Sequence, residues 1–183
     1  MPADLSIEAL FQMNMNKAFT CCFTGHRPHK LPFNLDDESG AALRLRARLK
    51  TELLTAIHQG YKYFICGGGL GVDMLAARQV LSLKEAYPFL RLCLALPCQN
   101  HTARWAPAQK QDMKALMEQA DEIIYVTQGP YTEGCMQKRN QYMIDRSSRI
   151  IAVFNGTSGG TKLTLDYAEK SYIQAIIVDC NTI

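Results

Sequence analysis

The sequence of 183 residues predicts a doubly wound, mainly parallel α/β sandwich in a single domain. Three observations carry this reading. Short apolar runs rich in β-branched or aromatic residues recur along the chain, and helix-length segments separate them. The glycines, histidines and unusual polar residues gather in the loops that follow those runs. A short apolar run bounded by turn residues marks a strand buried on both faces, and regular alternation of such strands with helices fits a parallel sheet.

Taken in order, "AFTCCFT" at 18–24 is the first strand, followed by a helix over 39–59. In that helix Ala42, Leu45, Leu49, Leu53 and Ile57 recur at spacings of three or four, leaving Arg44, Arg46, Arg48 and Lys50 for the wet side. "KYFIC" at 62–66 leads into a helix over 72–86, and "LRLCLAL" at 90–96 into one over 104–120. "EIIYVT" at 122–127 precedes a helix at 135–147, "RIIAVF" at 149–154 precedes one at 161–173, and "AIIVD" at 175–179 closes the sheet. Residues 18–183 read as one domain, and residues 1–17 as a loose or amphipathic leader in which Met13 or Met15 is an alternative start.

Composition narrows the function. A formal charge of +3 permits a nucleic-acid partner without demanding one, and DNA is not the favoured partner. No apolar stretch approaches the roughly 18 residues of a membrane helix, so no membrane role is expected. The seven cysteines have no CxxC spacing and several fall in apolar runs, the pattern of reduced core thiols in a cytoplasmic protein. No metal is expected: His26 and His29 have no carboxylate or cysteine set nearby to complete a site.

In a parallel sheet every loop that follows a strand emerges at the carboxyl edge, where open α/β sheets bind ligands. "ICGGGLGVDMLAA" at 65–77 places Gly67, Gly68, Gly69 and Gly71 between a strand and a helix. Such a loop suits phosphate held by backbone N–H groups, with Asp73 on a ribose hydroxyl; a tight turn with Asp73 as a plain cap is the other reading. In "TGHRP", Gly25 opens a turn and Arg27 offers a planar fork for phosphate or a surface ion pair. In "NGTSGGTK", Ser158, Gly159, Gly160 and Thr161 supply donors for phosphate or form a simple capped turn. Trp105 is placed to stack on a base or to close the edge of the core, and Arg139 and Asn140 open toward the same edge. Glu133 and Asp166 are the only carboxylates offered as catalytic candidates, and no spacing assigns them a role.

"FTGHRP", "GGGLGVDMLAA", the "P…W" stretch at 97–105, "RNQYMIDRS" at 139–147 and "GGTKLTLDYA" at 159–168 together resemble the YpsA-like proteins of the SLOG superfamily, over about residues 18–179. That superfamily also holds the DprA DNA-processing proteins and the LOG phosphoribohydrolases. The resemblance implies a Rossmann-like fold and a nucleotide or ADP-ribose-like ligand on the carboxyl edge. Its binding positions would be Gly25, Arg27, Gly68 to Asp73 and Gly159 to Thr161. The LOG motif PGGxGTxxE ends in a catalytic glutamate, whereas Thr164 stands at that position here and Asp166 is out of phase. Three functions stay open: nucleotide binding or sensing, an N-glycosidase of LOG type, and single-stranded DNA binding of DprA type. The base, any reaction and any homo-oligomer are not specified by the residues.

Overall fold

Each apolar run is a strand in the computed structural model, which describes residues 14–183. The strands are β1 (Thr20–Gly25), β2 (Tyr63–Cys66), β3 (Arg91–Leu96), β4 (Glu122–Tyr125), β5 (Arg149–Phe154) and β6 (Gln174–Asp179). The helices are α1 (Gly40–His58), α2 (Val72–Leu83), α3 (Pro107–Gln119), α4 (Cys135–Asp145) and α5 (Gly160–Lys170). All pairings are parallel, in the order β4-β3-β2-β1-β5-β6. The sheet is thus wholly parallel and Rossmann-like.

Side chains alternate across the sheet and feed two cores. Cys21, Phe23, Phe64, Leu92, Leu94 and Leu96 face α1, α2 and α3, whose Leu45, Leu49, Val80 and Met113 close the larger core. Cys22, Ile65, Cys93, Ala95 and Ile150 face the other way, against Met143 and Ile144 of α4 and Ala168 of α5. All seven cysteines are buried. Burial pushes the Cys22 thiol up to about 12 and those of Cys21 and Cys66 well above the ordinary range.

The expectation of six strands buried on both faces fails at the sheet margins. β4 is only half-buried and β6 is mostly exposed, because each is an edge strand and, among the described residues, α4 and α5 are the helices that cover the second face. Helix ends differ for local reasons. α3 starts at Pro107 rather than 104, since proline suits the first helical position. α5 ends at Lys170, where Tyr172 takes a left-handed φ of 55° soon after. Residues 1–13 of the expected leader lie outside the described residues; Met15 packs against the second core.

The strand order places the functional edge. The chain runs outward from β1 to β4 and then returns to the other side of β1 as β5. The loops leaving β1 and β5 therefore diverge to opposite faces, opening a crevice between them, which is where such sheets take ligands.

Candidate functional site

The loops after β1, β2 and β5 meet at this crevice. The Lys30 ammonium donates to the Ser158 carbonyl at 3.0 Å, and the Asn155 side chain donates to the Lys30 carbonyl at 3.3 Å. The Asn155 backbone N–H donates to His26 Nε2 at 3.1 Å, which leaves the ring proton of neutral His26 on Nδ1. A hollow of about 160 Å³ lies between them. Thr24 and Gly25 form its base, Arg27 and Lys30 one wall, Asp73 and Arg139 another, and Gly160 and Thr161 the start of α5.

Of the residues expected from sequence, the structure brings Gly25, Arg27, Asp73, Arg139, Asn140, Gly160 and Thr161 together there. The remaining glycines serve the protein's own packing. A Cβ at Gly68 would meet Leu96 at 2.5 Å, one at Gly67 would collide with Arg139 and Asp73, and one at Gly69 would meet Asp73 at 3.0 Å and Arg27 at 3.2 Å. At Gly71 the φ is +94° and a Cβ would lie 2.8 Å from the His26 carbonyl. What approaches that bare backbone is the neighbouring loop. Gly25 likewise admits Val72, at the first turn of α2. Gly159 lies under the Lys30 ammonium, and Ser158 contributes its carbonyl to that lysine.

Asp73 neither caps α2 conventionally nor faces freely outward. It is buried, accepts the Gly69 N–H at 3.1 Å, and lies 3.6 Å from Arg139. Arg139 is buried too, projecting inward from α4 to donate to the Gly67 carbonyl and, through Nε, to Asn140 Oδ1 at 2.8 Å. Asn140 passes the connection on by donating to Thr164 Oγ1 at 2.8 Å, and Thr164 donates to the Gly160 carbonyl at 2.8 Å. Burial lowers the Arg139 pKa and neighbouring Arg27 lowers it further, while Asp73 opposes both. The pair thus forms a charged wall of the hollow that links the glycine loop to α4 and, through Asn140, to α5.

Thr164, at the position corresponding to the LOG glutamate, is buried within this chain of bonds. Asp166 pairs with Lys162 along α5, and Glu133 is exposed in the loop before α4. Trp105 packs at the edge of the larger core, edge-on to His101 at 5.5 Å between centroids, and does not line the hollow. Sequence reasoning missed Lys30, although it stands in the loop after the first strand with Arg27. It also missed Met136, one turn before Asn140 on α4.

Gly159 offers no side-chain cap, so the first N–H groups of α5 are left for another acceptor at the crevice. With Arg27 and Lys30 beside them, the arrangement suits a phosphate. His26, buried at this point, has a pKa below its ordinary 6.5, through burial first and then the charge of Lys30. The unfolded ring therefore binds its proton at higher pH than the folded one. Stability is expected to fall as pH drops through 6.5 toward the lowered folded value. Urea unfolding from about pH 8 to about pH 5.5 checks this, and His26→Gln should lose less stability than wild type over that window.

Comparison with known proteins adds family to geometry. The profile of the YspA SLOG family, YpsA, matches residues 21–179. The SPbeta prophage-derived protein YoqJ of Bacillus subtilis is 36% identical over 72% of this chain and 84% of its own length. YpsA of Bacillus subtilis is 29% identical over 80% of this chain and 82% of its own. Among solved structures, DNA processing protein A from Helicobacter pylori aligns with a TM-score of 0.61 at 16% identity, over 92% of this chain and 72% of that one. DprA from Streptococcus pneumoniae aligns at 0.58 and 10% identity, over 89% of this chain and about half, 51%, of that one. With its profile matched from the first strand to the last, the chain belongs to the YpsA family of SLOG proteins.

Proposed function

We propose that this protein binds a nucleotide or nucleotide derivative, with the phosphate held in the β1–β5 crevice, and that it acts as a binding or sensing module. The observation that carries the reading is the convergence of Arg27, Lys30 and the uncapped start of α5 on one hollow at the switch point of the sheet. Arg27 supplies a bidentate fork, Lys30 a point charge, and the helix N–H groups oriented dipoles. The Asp73–Arg139 pair holds the opposite wall. ADP-ribose and nucleoside monophosphates both present the phosphate this chemistry recognises.

The test is thermal unfolding of the full chain with AMP, ADP and ADP-ribose. A nucleotide at a hundred times its Kd is expected to raise Tm by about 5–10 °C. Arg27→Ala is expected to abolish most of that shift. No shift with any phosphate-bearing nucleotide would sink the proposal. Chromatography of the same samples is expected to show no rapid release of free base, since a threonine stands where the hydrolases carry their acid.

A second reading rests on the likeness to DNA processing protein A, whose Helicobacter pylori structure is described for its mode of single-stranded DNA binding. Oligodeoxythymidylate that binds more tightly than any mononucleotide at about 0.15 M salt, and loses that affinity in Arg27→Ala, would favour it.

A further inference from the structure

Beside the crevice lies a second hollow of about 380 Å³, along the seam between α4 and α5; Met136, Asn140 and Gly160 border both spaces. Small-molecule sites commonly measure roughly 300–1,000 Å³. The crevice, at about 160 Å³, is below that range and the seam is within it.

The two spaces also differ in chemistry. The crevice gathers Arg27, Lys30 and the start of α5, whereas the seam is lined mainly by apolar surface from Met136, Leu163 and Tyr167. Leu163 is 63% exposed, a leucine on the lip of a hollow beside a charged pocket. The Tyr167 ring is tethered, its hydroxyl donating to Asp145 at 3.0 Å. Gln137 and Gln141, one turn apart on α4, line the same seam with side-chain amides that both donate and accept. From Gly160 to Tyr167 is seven residues, about 10 Å along the helix.

Resting on the phosphate reading above, we propose that this seam is the base subsite, and that the ligand class is a nucleoside 5′-phosphate lying along α4 and α5. Its phosphate sits at the start of α5. Its base lies between Met136, Leu163 and Tyr167, where thioether and ring surfaces favour a flat heteroaromatic group. The glutamine amides face the edge of the base. The apolar and charged spaces share Met136, Asn140 and Gly160 as a common border, so one molecule with an anionic end and an aromatic end satisfies both by lying across it.

Calorimetric titration of the full chain with the four common nucleoside 5′-monophosphates and with ribose 5-phosphate tests this. At least one monophosphate is expected to bind ten times or more tighter than ribose 5-phosphate. Leu163→Gln, a neutral change on an exposed position that leaves the core intact, should weaken that monophosphate about tenfold and leave ribose 5-phosphate unchanged. Equal affinity for the sugar phosphate and every monophosphate, or an equal loss of both in Leu163→Gln, would overturn the base subsite while leaving the phosphate crevice in place. A wild-type dimer that Leu163→Gln converts to monomer in sedimentation would assign the seam to a second copy and overturn it too. Binding of neither ligand type would remove the phosphate reading itself, and this one with it.

Discussion

Arg139→Met is expected to lower the free energy of unfolding by about 3–5 kcal/mol, among the largest effects available to a single substitution here. The guanidinium is buried against Asp73 at 3.6 Å and donates to the Gly67 carbonyl and to Asn140. Methionine replaces only the aliphatic stem of the arginine and leaves the Asp73 carboxylate buried without its cation. The Gly67 carbonyl loses its donor in the same step. Asp73→Asn should also destabilise, since the arginine is then left buried and uncompensated. Because the two groups face each other, the double substitution is expected to cost less than the sum, with a coupling of about 0.5–3 kcal/mol. Urea unfolding of the four proteins at neutral pH measures the cycle. A loss below about 1 kcal/mol for Arg139→Met would show that the pair is not the structural wall assigned to it.

The second large effect lies at Gly71. Gly71→Ala is expected to cost about 2–3 kcal/mol, from the left-handed φ together with the contact of the new Cβ on the His26 carbonyl. Gly156→Ala separates the two causes. Gly156 has a φ of +85° and an added methyl there would meet nothing within 4 Å, so only the backbone penalty of about 1 kcal/mol should appear. Equal losses at the two positions would mean that the β1 loop yields freely and that Gly71 does not seat it. Both variants are read by denaturant midpoint.

The strands were legible as short apolar runs bounded by turn residues, and α1 by the three- and four-residue spacing of its apolar positions. In α1, Leu45, Leu49 and Leu53 are all fully buried, as their spacing predicts. The placement of the after-strand loops on one edge followed from alternation alone. The purpose of the glycine loop did not. Its composition announces a bare backbone, but whether a ligand or Leu96, Arg27 and the His26 turn fill the space depends on contacts distant in sequence. Arg139 was readable in part: Cys135, Arg139 and Met143 recur every four residues and all three are buried, which marks the arginine as inward-facing. Lys30 carried no such signal, because its role comes from a carbonyl 128 positions further along the chain.

The bonds running from Arg139 through Asn140 and Thr164 to the Gly160 carbonyl have a kinetic consequence. A one-residue slip of α4 would swing the guanidinium about 100° around the helix axis and break every link, so the separation of α4 and α5 is held by directional bonds as well as apolar contact. A molecule entering the seam finds its walls already in place and need not order either helix, which keeps the entropy lost on binding small. Arrival should then be governed by diffusion and charge steering, and differences in affinity among ligands should appear chiefly as differences in residence time.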